Sequence, residues 1–293
     1  MSELAKRWAV AAVAVPTLLV LLYLGGWAIA VLVAAFAGFG AWECYRLADR
    51  ADVAALDLLG VASAAALVLI GAWRPTFAGF APPALALVGA LMIVGLVVAM
   101  RTRGPAGKPL EVVAITVFGT LYAGLSLAFV PLLHALPTVN GWSGPNTGAW
   151  GGLLVVGLAL AATWIGDAVA LYAGRAWGKG GLAPAISPKK SWVGVWAGLV
   201  GAGTAAALWF VGARGFLPGM PIEGPVAAAA VGVVLGICAV LGDLAESLLK
   251  REAGVKDSGA VIPGHGGVLD RLDALTFTLP AAYAALALLE SMS

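Results

Sequence analysis

Four polar residues, Asp243, Glu246, Ser247 and Lys250, recur at i, i+3, i+4 and i+7 in the run GDLAESLLKR, which is the spacing of one helical face. The rest of that helix is apolar, so the stripe is expected to face the bundle or a wet cavity, because charge against lipid is costly. The run continues as KREAGVKDSGAVIPGHGGVLDRLD over residues 250–273, with Lys250, Arg251, Lys256 and Arg271, four acids and His265. Asp243 lies toward the end of one helix and Asp270 at the start of the next, so the two can converge across the loop. Carboxylates beside basic residues suit Mg²⁺ bound to a phosphorylated substrate. One nearby histidine and no thiolate argue against zinc.

A second polar region reads WIGDAVALYAGRAWGKGGLAPAISPKKSWVG, residues 164–194. Asp167 falls well inside an apolar run, where a carboxylate needs a cation or a basic partner. Ser187-Pro188-Lys189-Lys190-Ser191 sets two ammonium groups and two hydroxyls at a helix start. Pro188 restrains the backbone there and the helix N-terminus adds partial positive charge, a natural phosphate cradle. A basic pair that serves only membrane topology is the alternative. Gly174–Gly180 is no Walker loop, since three residues rather than four precede Gly178-Lys179, and Gly180 follows in place of Ser or Thr. Any one of these charges could simply dock a loop by ion pairing. Taken together they stand at a membrane depth where charge is expensive, and that favours a site.

The elements that must position these residues are membrane helices. The chain has 293 residues, 61% hydrophobic and 11% charged, with mean hydropathy +0.98, whereas a soluble domain carries about a quarter charged residues. The expectation is an all-α polytopic integral membrane protein with about nine transmembrane helices, near 8–24, 27–45, 55–73, 80–100, 111–133, 150–174, 192–213, 225–249 and 271–289. Trp73-Arg74-Pro75 and Pro82-Pro83 leave a short, broken connection between the third and fourth. Continuous rather than alternating apolar runs exclude a β-barrel. The first run, behind Lys6 and Arg7, is read as a retained helix and not a cleaved signal.

With the N-terminus inside and the C-terminus outside, fifteen of the seventeen Lys and Arg fall on inside segments, leaving Arg74 and Arg214 outside. That bias places both polar regions on one face, the cytoplasmic face of a bacterial inner membrane. Residues 1–150 form about five spans of mostly Ala, Leu, Val and Gly. Residues 151–293 form about four spans and two inside loops, in what is expected to be one folded unit. Gly194/Gly198 and Gly232/Gly236 are spaced for close helix approach. Glu43, near the inside end of the second helix, is expected to pair with Arg46 or Arg50, with a site role as the alternative. Cys44 and Cys238 read as small buried hydrophobes, with no disulfide framework. No nucleic-acid patch stands out, because topology already accounts for the basic loops.

Ser247 to Asp273, SLLKREAGVKDSGAVIPGHGGVLDRLD, resembles the signature of phosphatidate cytidylyltransferases (CDP-diacylglycerol synthases) along its whole length. Asp167, Gly174-Arg175, Gly178-Lys179 and Ile186 to Trp192 resemble that family's other motif. The likeness covers the C-terminal half; the N-terminal half matches in hydrophobic pattern alone. It implies that CTP and phosphatidic acid give CDP-diacylglycerol and pyrophosphate with Mg²⁺, the lipid phosphate attacking the CTP α-phosphate. On that basis Asp243 and Asp270 would bind metal, with Asp167, Asp257 and Asp273 as further ligands or supporting groups. Lys189, Lys190, Lys250, Arg251 and Arg271 would hold phosphates, with Ser187, Ser191 and Lys256 beside them. His265 would bond a phosphate oxygen, or else protonate the leaving pyrophosphate. Gly264, Gly266 and Gly267 would let the backbone approach the nucleotide. The resemblance also implies a bilayer setting and a homodimer. One departure is Val193, where the family usually has glutamate, so no glutamate role transfers there. A polyprenol or phytol kinase would use the γ-phosphate instead. A transporter would need polar stripes reaching both membrane faces.

Overall fold

The computed structural model describes residues 3–259, 261 and 266–292, with side chains from residue 12 onward. The helices are α1 (Glu3–Leu24), α2 (Gly26–Arg50), α3 (Asp57–Trp73), α4 (Phe77–Thr102), α5 (Pro109–Gly119), α6 (Ser126–Val139), α7 (Trp150–Trp177), α8 (Trp192–Ala213), α9 (Pro225–Glu252), α10 (Leu269–Leu272) and α11 (Leu275–Met292). A π-helical segment, Thr120–Leu125, joins α5 to α6, so that Pro109–Val139 runs as one 31-residue apolar helix.

Seven helices among the described residues are long and apolar enough to cross a membrane, against the nine expected. The described part of α1, Ala12–Leu24, and α3, Asp57–Trp73, are apolar but shorter. At 1.5 Å rise per residue, the 17 residues of α3 reach roughly 25 Å, less than the ~30 Å hydrocarbon core. Helix α4 starts earlier than expected. Thr76 caps it by accepting from Gly79 N at 3.1 Å, and Pro82 and Pro83 fall inside the helix, so the connection shrinks to Arg74–Thr76.

The chain divides into two compact units, residues 1–132 with 249–272, and residues 133–248 with 273–293. In the first, α2 packs on α3 around Tyr45, which is fully buried. Its hydroxyl donates to Thr116 O at 2.8 Å and lies 3.1 Å from Thr120 Oγ1. Gly60 is what admits this ring, since a Cβ there would stand 2.6 Å from Tyr45 Cζ. Thr120 also donates to Gly60 O at 3.1 Å. A threonine hydroxyl thus answers helix backbone across the unit, one of the side-chain bonds that join packed membrane helices.

In the second unit α7 packs on α8 through the small residues noted in the sequence. A Cβ on Gly198 would sit 2.9 Å from Ala170 Cβ and 3.1 Å from Gly166 O. Helix α9 meets α8 equally closely, because a Cβ on Gly232 would stand 2.5 Å from Ala202 O. Trp142 Nε1 donates to Glu290 at 2.7 Å, tying the turn before α7 to the end of α11.

The fold is not wholly helical. Between α7 and α8 lies an antiparallel hairpin, β1 (Gly181–Ala183) with β2 (Ser187–Ser191), pairing Gly181 with Ser191 and Ala183 with Ser187. Ile186 N donates to Ala183 O at 3.0 Å and closes its turn.

Candidate active site

The hairpin brings the Ser-Pro-Lys-Lys-Ser run over a cavity of about 900 Å³ in the second unit. Ser191 ends β2 and caps α8, its Oγ accepting from Gly194 N at 3.2 Å. This cap fixes where strand becomes helix, and so where the two preceding lysines project. Ser187, Lys189, Lys190 and Ser191 all line the cavity, together with Asp167 from α7 and Asp243 from α9. The charges meet there: Lys190 Nζ lies 2.7 Å from Asp243 Oδ2 and 3.5 Å from Val240 O. Ser247 Oγ donates to Asp243 Oδ1 at 3.3 Å from the next helical turn. Farther along the α9 stripe, Glu246, Ser247 and Lys250 are buried, as their spacing implied.

The first unit holds a second polar cluster, built on the loop that follows α9. Asp270 accepts from Lys250 Nζ at 2.8 Å on Oδ1, and from Ser258 N at 3.0 Å and Gly267 N at 2.9 Å on Oδ2. Glu43, fully buried in α2, accepts from Val268 N at 3.0 Å, Leu269 N at 2.7 Å and Ser258 Oγ at 3.0 Å. The expected pairing of Glu43 with Arg46 or Arg50 is therefore corrected. Arg46 bonds Asp49 at 2.9 Å and also Asp57, while the Glu43 carboxylate is turned to the loop.

A family model described as the cytidylyltransferase family matches residues 5–289. The chain belongs to the cytidylyltransferase family. A phosphatidate cytidylyltransferase of Pseudomonas aeruginosa is 33% identical over 256 residues, covering 86% of this chain and 84% of that protein. Proteins of the same name from Haemophilus influenzae and Synechocystis are 48% identical over 118 residues and 43% identical over 138. Those two matches span 40% and 43% of the relatives' own lengths, less than half of each.

In this cytidylyltransferase-family chain, the expected site residues therefore fall into two sets. Asp167, Asp243, Ser187, Lys189, Lys190 and Ser191 share the cavity. Asp270 and Lys250 form the clamp on the loop, and Gly267 donates to it. Gly266, at φ +83°, has the open backbone that glycine permits, with Asp270 Oδ2 only 2.9 Å from where a Cβ would stand. Arg251 Nη1 donates to Val255 O at 2.9 Å and closes the turn after α9. Lys256, Asp257 and Arg271 are exposed. Asp273 Oδ1 accepts from Ala274 N at 2.7 Å at the start of α11. Gly264 and His265 lie outside the described residues.

Three residues enter beyond those assigned from sequence. Arg175 and Lys179, each following a glycine of the second motif but given no role from sequence, line the cavity. Glu43 belongs to the loop clamp; an acid near the end of an apolar helix was the available signal, and it did not say what the acid would hold.

Proposed function

We propose that this chain transfers the cytidylyl group of CTP to phosphatidic acid, giving CDP-diacylglycerol and pyrophosphate. The observation that carries the reading is the 900 Å³ cavity in which Asp167 and Asp243 face Lys190 beneath a rim of basic residues. The names of the relatives support the same substrates. An oxygen of the lipid phosphate forms a bond to the α-phosphorus of CTP, the bond from that phosphorus to the α,β-bridging oxygen breaks, and its electron pair leaves with pyrophosphate. A phosphomonoester with a second pKa of about 6 is largely dianionic at neutral pH, so no strong general base is required.

What the site must do is gather two polyanions and neutralise the charge that develops in transfer. Lys189, Lys190, Arg175 and Lys179 are the cations at hand for CTP. Among the described residues, no group of three or more His, Cys, Asp or Glu side chains is arranged to hold a metal. Two carboxylates nevertheless fit Mg²⁺, which commonly takes one or two from the protein and the rest of its oxygens from water and substrate phosphates. Asp167 and Asp243 would hold it, and the ammonium already resting on Asp243 marks where positive charge is accommodated. Bound there, Mg²⁺ would polarise the phosphoryl oxygens of CTP. Asp270, both of whose oxygens are occupied by Lys250 and backbone donors, enters as the residue that holds the loop, and would reach a metal only by giving up those bonds. The acyl chains stay in the bilayer, which is the reason for building phosphoryl chemistry into membrane helices. The site would face the cytoplasm of a bacterial inner membrane.

The test is transfer from CTP labelled at either the α- or the γ-phosphate, with purified protein, phosphatidic acid and Mg²⁺. Entry of α-label into lipid with release of γ-label as pyrophosphate is expected. Entry of γ-label into the lipid would make the protein a kinase and overturn the proposal.

A further inference from the structure

Residues flanking the glycine-rich stretch are pinned by two buried carboxylates from opposite ends of the sequence. Asp270 takes the N–H groups of Ser258 and Gly267. Glu43 takes the Ser258 hydroxyl and the N–H groups of Val268 and Leu269. The Glu43 partners lie 215, 225 and 226 residues away in sequence. The fit leaves no slack: a Cβ on Gly267 would stand 2.7 Å from Glu43 Oε1, and one on Gly259 would stand 3.0 Å from Glu43 Cδ.

We infer that Glu43 is a positioning residue for the proposed transfer, one that holds Ser258, Val268 and Leu269 in place from inside α2 without touching substrate. This rests on the cytidylyltransferase reading above. The chemistry of the contact requires a carboxylate. Every one of its three partners donates, so both oxygens must accept, and an ionised group does this more strongly than a neutral one. An amide in either orientation would turn its NH₂ toward a backbone N–H, that of Val268 or that of Leu269, and leave a buried donor unpaired. The loop end also carries Asp270, whose bond to Lys250 depends on where Leu269 is held. A loop displaced by even ~1 Å costs on the order of a hundredfold in rate when it carries groups that must be aligned.

Three variants and two readouts test this: Glu43→Gln, Glu43→Asp and Ser258→Ala, with α-label transfer and amide hydrogen exchange in detergent. The unmodified protein is run alongside; if it transfers no α-label at all, the function reading fails, and the exchange result still decides the contact. Glu43→Gln should lower kcat by tens-fold to about a hundredfold with KM for CTP within about threefold, and should speed exchange at Val268 and Leu269 but not in α7 or the β1–β2 hairpin. Glu43→Asp keeps the charge and should recover part of the loss. Wild-type kcat together with wild-type exchange in Glu43→Gln overturns the inference, and so does an equal loss in Glu43→Asp and Glu43→Gln. If Glu43→Gln loosens every helix, Ser258→Ala decides. Lower kcat with faster exchange confined to Ser258 and residues 266–269 supports the inference, and unchanged kcat overturns it.

Discussion

Lys190 and Asp243 lie 2.7 Å apart with side chains 22% and 36% exposed. Ion pairs this accessible contribute little to stability and exchange partners readily. Lys190 is therefore suited to leave Asp243 for a nucleotide phosphate. Lys190→Ala is expected to raise KM for CTP on the order of tenfold, the worth of one hydrogen bond to a charged group, with the melting temperature nearly unchanged. Steady-state kinetics check this, and an unaltered KM would leave Lys190 as a topology signal alone. The Lys250–Asp270 pair is different, with side chains only 11% and 7% exposed. Removing one charge of such a pair strands the other, at a cost of about 3–5 kcal/mol. Asp270→Asn should thus melt at markedly lower temperature and lose turnover while still reaching the membrane. Thermal melting and label transfer together test it, and wild-type behaviour in both would remove Asp270 from the loop's support.

At the scale of elements, the site depends on how closely three helices approach. Helix α9 can present Asp243 beside Lys190 because Gly232 lets its backbone lie against α8 at Ala202 and Gly203. Gly232→Val is expected to overpack that contact and destabilise by about 1–3 kcal/mol, with label transfer falling as Asp243 shifts. A melting curve matching wild type would show that the contact yields without cost. Ser191→Ala should remove the α8 cap, costing about 1 kcal/mol and blurring the point at which Lys189 and Lys190 leave the hairpin. The hairpin itself was not legible in the sequence. Its strands have three and five residues and carry two glycines or prolines between them, too short and too irregular for period-two alternation to register. The helix start at Trp192, by contrast, was legible, because Ser191 before an apolar run is a local capping signal.

At the scale of the molecule, the cytoplasmic site proposed above requires the orientation expected from the distribution of Lys and Arg, with the N-terminus inside. With Cys44 and Cys238 replaced, a single cysteine at Lys179 should react with a membrane-impermeant thiol reagent only after the inner face is opened. One at Arg214 should react in intact cells. The reverse pattern would invert the orientation and move the proposed site to the outer face.

The amino-acid sequence by itself determined that the chain is built of membrane helices, since lipid leaves backbone groups no partner outside the segment and so demands long continuous apolar runs. It also determined the family, through 27 consecutive residues from Ser247 to Asp273, and the polar face of α9, through helical periodicity. Only the tertiary structure decided which charges meet. Lys190 finds Asp243 fifty-three positions away, and Glu43 leaves nearby Arg46 for donors more than two hundred residues distant. The physical reason is common to both. Periodicity reports which face of an element a residue occupies, whereas the partner of a buried charge is chosen by the desolvation cost of leaving it unpaired, and that choice exists only once the helices have packed.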